Sequence, residues 1–149
     1  MPHPVTALIG IRNLLRLDRD QTQRWRPHLK YILLVHHNEE NFARLPEAEQ
    51  RKMREESVRV ANEVHANGQY LDAAPLQPTA MTTTVRVRDG KPVITDGPFV
   101  ETREHLGGYY LVDVRSLDEA IDIAGRIPGA RLGAVEIRPL VSLPGLPKT

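Results

Sequence analysis

Residues 96–109 hold many of the side chains in this sequence that could transfer protons or bind ions. Asp96 offers a carboxylate that could act as a general base or anchor a ligand. Arg103 can form two parallel hydrogen bonds to a carboxylate, and Glu104 beside it could orient Asp96 or bind a polar ligand. A structural interpretation is also open, because Asp96 followed by Gly97 is typical of a tight turn, and neighbouring charges are typical of a solvated surface.

Two aromatic side chains belong to the same stretch. Tyr109 could form a wall of a ligand site or donate a hydrogen bond within it, and Phe99 could line that site. Phe99 could instead fill the core behind the turn. Gly107 and Gly108 precede an apolar run, and they are expected to let the main chain approach its neighbours closely.

Polar residues in two other strand-like segments could complete the site. His36 and His37 follow the apolar run 31–35. Strand side chains alternate between faces, so one histidine must face the same cleft as Glu136 and Arg138. Histidine titrates close to neutral pH, which makes His36 a candidate for proton transfer. The alternatives are a solvated strand end for His36 and an ordinary ion pair for Glu136 and Arg138.

No metal site or cofactor is expected from these residues. His36, Asp96 and Glu136 could converge on an ion, but nothing in their spacing requires it. Cysteine is absent, which excludes disulfides, thiolate ligands and a thiol nucleophile.

Charge and hydropathy restrict the partners of the chain. It has 149 residues and a formal net charge of +1, so no global basic field favours nucleic acid or an anionic membrane. No apolar run approaches the roughly 18 residues that a membrane-spanning helix needs. Arg12 and Arg16 interrupt the one apolar run near the N-terminus, so a secretory signal is not expected and the cytoplasm is the predicted location.

The elements that must position these residues follow a repeated pattern. Apolar periodicity predicts strands at 31–35, 70–74, 109–114 and 134–138, with helices at 46–67 and 117–127. The apolar face of the second helix is expected to consist of Leu117, Ala120, Ile121, Ala124 and Ile127. Asp89-Gly90 predicts a type I′ turn in a hairpin over 83–95. This order is that of an α+β fold, the ferredoxin-like split βαβ arrangement with an inserted β-hairpin.

The pattern also predicts a second copy of the chain. Two helices cover one face of a four-stranded sheet, yet the first and third body strands are apolar on both faces. The uncovered face would be too large an apolar patch for a monomer, so a homodimer that closes the sheets face to face is expected.

Composition divides the chain into three segments. Residues 1–28 form a basic N-terminal extension with five arginines against two aspartates. It could contain a short amphipathic helix over 6–17 or be a loosely packed extension. Residues 29–140 form the body, and residues 141–149 form a proline-rich C-terminal tail.

Six short motifs follow one another in the body: YILL at 31–34, LQPTA at 76–80, TTVR at 83–86, TDGPF at 95–99, ETRE at 101–104 and LGGY at 106–109. In this order and spacing the body resembles the DGPF-domain proteins, which belong to the broader YCII-related family. The resemblance covers roughly residues 29–140 and implies a dimeric α+β barrel.

The resemblance also raises a catalytic question. The wider group includes a dehydrochlorinase-type lyase of chloroaromatic degradation, for which a histidine–aspartate pair has been proposed as the catalytic centre. Its histidine lies in the first helix, about three residues after an arginine. Arg54 matches that arginine by local spacing, and the histidine position then falls on Ser57, which lacks the proton-accepting ring.

We therefore expect a small polar or aromatic ligand in a cleft of the homodimer, with catalysis left open. In an enzyme of lyase or isomerase type, Asp96 or His36 would transfer the proton, and Arg103 or Arg138 would hold an anion. The alternative is a non-catalytic interaction or regulatory module. Asp96, His36 and Glu136 within hydrogen-bonding reach of one another would favour the enzyme.

Overall fold

The computed structural model describes residues 28–147. The predicted helix over 6–17 lies outside the described residues. Four helices and six strands lie within them, in addition to a 3₁₀ turn at Thr79–Met81. In chain order they are β1 (Leu29–His37), α1 (Glu39–Ala43), α2 (Glu47–Ala66), β2 (Tyr70–Pro75), β3 (Thr83–Arg88), β4 (Lys91–Asp96), β5 (His105–Val114), α3 (Leu117–Arg126), α4 (Gly129–Leu132) and β6 (Ala134–Pro139).

Two separate antiparallel sheets make up the β structure. The larger has the strand order β2-β5-β1-β6, and β3 and β4 form a two-stranded hairpin of their own. The order of the larger sheet confirms the predicted ferredoxin-like α+β fold with an inserted hairpin. Asp89 and Gly90 both have positive φ, 50° and 73°, as the predicted type I′ turn requires.

The long helix α2 begins and ends where its sequence predicts. Pro46 precedes the first turn, which contains Glu47 and Glu49 near the positive end of the helix dipole. The main chain reverses after Asn67 at Gly68, whose φ is +71°. Val60 and Val64 are the buried residues of the helix, and they face the sheet.

The shorter helix α3 buries only part of its predicted face: Ala120, Ala124 and Ile127 are buried as expected. Its core residues are Ala120, Ile123 and Ala124, whereas Leu117 and Ile121 are about half exposed. Leu117 and Ile121 were expected in the buried face, but they lie toward solvent. The N-terminus is capped by Ser116, whose hydroxyl accepts from the Glu119 amide at 3.3 Å.

The core lies between the helices and one face of the larger sheet. Leu33 and Val112 from the central strands are fully buried there, together with Ile127 after α3. Burying each such side chain contributes roughly 1.5–3 kcal/mol before entropic costs. Because α2, α3 and α4 all pack on this face, no helix of residues 28–147 covers the opposite face of the sheet.

Two short helices, α1 and α4, were not predicted from the sequence. In α1, the Asn38 side chain caps the first turn by accepting from the Asn41 amide at 2.8 Å. Pro128, predicted to end the preceding helix, also begins α4. Among residues 28–147, no helix has the length and apolar character needed to cross a membrane.

Candidate functional site

The sheet surface opposite the helices is called here the open face, and cross-strand register defines it. Leu34 of β1 pairs with Tyr109 on one side and with Glu136 on the other. In the next row, Ile32 pairs with Leu111 and Arg138. Because strand side chains alternate, these residues share one face with His36 and Asp72. The open face thus has an apolar centre of Ile32, Leu34, Tyr109 and Leu111, with polar residues around it.

A histidine–carboxylate pair, His36 and Glu136, lies on the open face. The Nε2 atom of His36 lies 3.0 Å from Oε1 of Glu136, and the His36 side chain is 27% exposed. A carboxylate on one ring nitrogen fixes the orientation of the imidazole. The second ring nitrogen is then left to exchange a proton with a ligand. The structure thus brings His36 and Glu136 together.

A second polar pair lies across the same face. The Tyr109 hydroxyl donates a hydrogen bond of 2.6 Å to Oδ2 of Asp72 in β2. This hydrogen bond is the main cause that raises the pKa of Tyr109, with desolvation and the Asp72 charge acting in the same direction. The phenol therefore remains a hydrogen-bond donor over the physiological range. Asp72 was not anticipated from the sequence.

Arg138 contributes an exposed cation to the open face. It lies two residues beyond Glu136 on the same side of β6, and within residues 28–147 its guanidinium has no ion pair. An uncommitted guanidinium can bind a carboxylate or phosphate through two parallel hydrogen bonds.

Asp96 does not join His36 and Glu136. It ends β4 and pairs across the hairpin with Thr83, and its side chain is exposed. In the described part of the chain, no hydrogen bond links its carboxylate to the histidine pair. Gly97 after it has a φ of +97° and donates its amide to the Thr82 carbonyl at 2.8 Å, so this segment forms the expected turn.

The other predicted site residues of the segment 96–104 also lie away from the two polar pairs of the open face. Phe99 is 70% exposed, so the core-filling role considered for it is wrong. The Arg86 guanidinium lies 4.9 Å from the Phe99 ring centre, a cation–π contact. Arg103 and Glu104 are exposed, and the Arg103 carbonyl accepts from the Asn38 side chain at 2.8 Å. Phe99, Arg103 and Glu104 belong to the segment that connects β4 to β5.

A cluster that the sequence did not predict joins the connection between β2 and β3 to the end of β1. Glu39 accepts hydrogen bonds from the Thr79 amide and hydroxyl at 2.9 and 2.8 Å. Desolvation opposes ionisation of Glu39, but these hydrogen bonds and the nearby His105 and His37 lower its pKa overall. A Cβ at Gly107 would overlap the His37 ring, so a larger residue there would require that side chain to move.

Ser57, which takes the position of the relatives' histidine, belongs to the other side of the sheet. Its hydroxyl donates to the Met53 carbonyl at 3.0 Å within α2, and its own carbonyl accepts from the Tyr110 hydroxyl at 3.0 Å. Tyr110 is a core residue. Ser57 is therefore committed to the helix layer and not to the open face.

The helix side of the described chain has one shallow depression, of about 380 Å³, lined in part by Glu119, Asp122 and Arg126. Its charges are already matched, because Glu119 pairs with Arg115, and Arg126 pairs with Glu63 and Asp122. No group of three histidine or acidic residues arranged for a metal ion occurs in residues 28–147.

The fold and this surface define an α+β protein with an antiparallel sheet whose polar pairs lie on the side without helices. The chain belongs to the YCII-related domain family, which matches residues 29–144. It is also similar to an uncharacterised protein of Rhizobium meliloti (strain 1021), with 39% identity over 113 residues. That match covers 74% of this chain and 90% of the relative.

Proposed function

We propose that the protein binds a small polar or aromatic molecule on the open face and that His36 transfers a proton to or from it. The observation that carries this proposal is the 3.0 Å contact between His36 and Glu136. Glu136 would hold the imidazole in one orientation, as the carboxylate does in other histidine-centred sites. The chemistry would be of lyase or isomerase type, with His36 as general base and then general acid.

The neighbouring residues supply binding groups for such a ligand. The apolar surface of Leu34 and Tyr109 lies in the same row as Glu136, so it would contact a planar or aromatic part of the molecule. Arg138 would attract a negatively charged substituent. Asp96, which has no hydrogen bond to the pair, is not assigned a role in proton transfer.

The proposal includes a second copy of the chain that covers the open face. Ile32, Leu34 and Leu111 are apolar, and α2, α3 and α4 all pack on the other face. These side chains are half-buried in the single chain, and a sheet from a partner chain would enclose the rest of this surface as a cleft, as ligand sites generally require. Exclusion of water would also strengthen the interaction between His36 and Glu136.

A specific observation favours the second candidate function, a non-catalytic interaction module. Apolar side chains of the hairpin are largely exposed, among them Val87 and Ile94, both 66% exposed. Surfaces of this type mark contacts with other proteins. In this alternative, the polar pairs of the open face would serve only to fix the orientation of two chains.

The two functions are separated by ligand binding to matched variants. Small carboxylic acids, phenols and lactones would be titrated against the full chain while the His36 ring resonances are followed by NMR. We expect at least one compound class to shift these resonances, and Glu136→Gln to weaken its affinity roughly tenfold, because the neutral amide supports the imidazolium poorly.

The matched control is Glu63→Gln. Glu63 also forms an ion pair, with Arg126 at 2.7 Å, but it lies on the helix side. Ligand affinity should be unchanged in that variant. Absence of any ligand-dependent shift at His36, or equal losses in the two glutamine variants, would reject the acid–base site and leave the interaction module.

A further inference from the structure

The β3–β4 hairpin has two chemically different faces. Val85, Val87, Pro92 and Ile94 project to one side according to the strand register. Arg86, Arg88 and Lys91 project to the other side. Only the second face is suited to water.

The apolar side of the hairpin is exposed although the rest of the chain is folded. Val85 is 60% exposed, and Val87 and Ile94 are both 66% exposed. A two-stranded hairpin alone is at best marginally stable in water. The hairpin therefore needs a covering surface that residues 28–147 of its own chain do not provide.

The base of the hairpin is anchored at the end of the open face that contains His36. Thr79, just before β3, is bound twice by Glu39, two residues after the end of β1. Leu76 donates its amide to the Gly107 carbonyl of β5 at 2.9 Å. A molecule that covers the open face would thus lie next to the root of the hairpin.

The area of the open face indicates the same occupant. Four strands with about seven paired residues each form a surface of roughly 450 Å². A stable interface buries about 800 Å² on each partner. One face of the hairpin adds roughly 200 Å². A two-fold dimer in which each copy gives one hairpin and receives another gains that area twice, so its contact is larger than the two sheets alone would form.

We propose that the β3–β4 hairpin is an arm that a second copy of this chain receives, with Val85, Val87, Pro92 and Ile94 packed against the partner. The proposal rests on the dimer put forward above and adds a second contact surface to it. The basic face of the arm remains in water. The arm contact is independent of proton transfer at His36.

The first test uses a substitution that preserves strand formation. Val87→Thr combined with Ile94→Thr keeps β-branched side chains but removes apolar contact area. Sedimentation velocity of the full chain should show a dimer whose dissociation constant rises roughly tenfold to hundredfold in this variant. The matched control is Val93→Thr, the same change on the basic side of the same strand, and it should leave the constant unchanged.

A second test detects the contact directly. The photo-crosslinker p-benzoylphenylalanine, introduced at Ile94, should join two chains covalently on irradiation, whereas the same group at Val93 should not. A wild-type chain that remains monomeric overturns both the arm and the dimer. A dimer that is unaffected by the double substitution and gives no crosslink at Ile94 overturns the arm alone. Crosslinking within a single chain, including to residues 1–27, also overturns it.

Discussion

Gly133 determines where the main chain of His36 lies, and therefore where the proposed proton-transfer group lies. A Cβ at this glycine would overlap the His36 carbonyl oxygen, which is a main-chain atom that cannot rotate away. Gly133→Ala should lower the free energy of unfolding by about 1–3 kcal/mol because the end of β1 must shift. Urea denaturation measures this change, and the contact between His36 and Glu136 should be disturbed at the same time.

Gly125→Ala is the control for that substitution. Gly125 lies within α3, and a Cβ added to it meets no atom within 4 Å. Alanine favours helix more than glycine does, so this variant should be more stable by up to about 1 kcal/mol. If Gly133→Ala is as stable as Gly125→Ala, the packing of the segment before β6 against β1 is not as close as described.

The pH dependence of stability should contain a contribution from His37. Burial lowers the pKa of His37 below the usual 6.5, the neighbouring His105 acts in the same direction, and Glu39 opposes both. The unfolded chain therefore takes up this proton first as the pH falls, so stability decreases below about pH 6.5 until the folded state is protonated too. His37→Gln should flatten the stability profile in this window, as measured by urea denaturation at a series of pH values.

Carboxylates account for a separate loss at lower pH. Hydrogen bonds from Arg131 to Glu56 and from Arg115 to Glu119 are the main causes that lower the pKa of each glutamate below 4.5. Their stabilisation is present above that value and lost as the pH falls through the folded pKa.

The control for the His37→Gln variant is His65→Gln, at an exposed position of α2, which should keep the wild-type slope between pH 6.5 and 5. Equal slopes of stability against pH in the His37→Gln variant and the wild-type protein would contradict the prediction.

At the scale of elements, the side chain that caps α1 also holds the segment between β4 and β5, residues 97–104. The Asn38 side chain accepts a hydrogen bond from the Asn41 amide and donates another to the Arg103 carbonyl, both at 2.8 Å. Asn38→Asp keeps the acceptor that caps the helix but loses the donor that reaches Arg103. We expect little change in the free energy of unfolding but faster trypsin cleavage after Arg103.

Asn38→Ala separates the two roles further. It removes both hydrogen bonds, so it should cost about 1 kcal/mol of stability and accelerate the same cleavage. Asn67→Ala, at the C-cap of α2, serves as the control and should leave the cleavage rate unchanged. If the aspartate variant resists trypsin as the wild type does, the segment is held by other contacts.

Most elements of this fold were predictable because their signals are local. Alternation and caps indicated the four strands of the sheet, the hairpin turn at Asp89 and the start of α2 after Pro46. The short helices were missed, since four or five residues are too few to show a period. The buried face of α3 was misjudged because Leu117 and Ile121 satisfy helical spacing as well as Ile123 does, and only packing against the sheet decides between them.

The candidate site was predictable only where alternation within a strand determines it. His36 and Glu136 each face away from apolar neighbours in their own strands, so a shared surface followed from strand pairing. The contact of Tyr109 with Asp72 depends on the register of β2 against β5, which shifts between Tyr70 and Asp72. No local pattern gives that register. Asp96 was expected nearby because it is close in sequence to Tyr109, but the hairpin forms a sheet of its own.

At the scale of the whole molecule, the open face and the hairpin arm are two apolar surfaces that no helix of residues 28–147 covers. If a second copy covers them, folding and association are coupled. The stability of such a protein depends on its concentration, because dimer formation shifts the equilibrium away from unfolded chains. This dependence distinguishes an assembled dimer from a stable monomer without reference to any ligand.

Thermal unfolding measured over a range of protein concentrations tests that coupling. For the wild-type chain, each tenfold increase in concentration should raise Tm by about 2 °C, since association contributes about 0.7 kcal/mol per chain. Ile32→Glu places a charge at the centre of the open face, so it should abolish the concentration dependence and give a folded monomer of lower Tm. Val58→Glu makes a similar change at a position of α2 that is 60% exposed, and it should retain the wild-type dependence. A wild-type Tm that is independent of concentration, with a single-chain mass by light scattering, would mean that the open face is a solvent-exposed surface of a monomer.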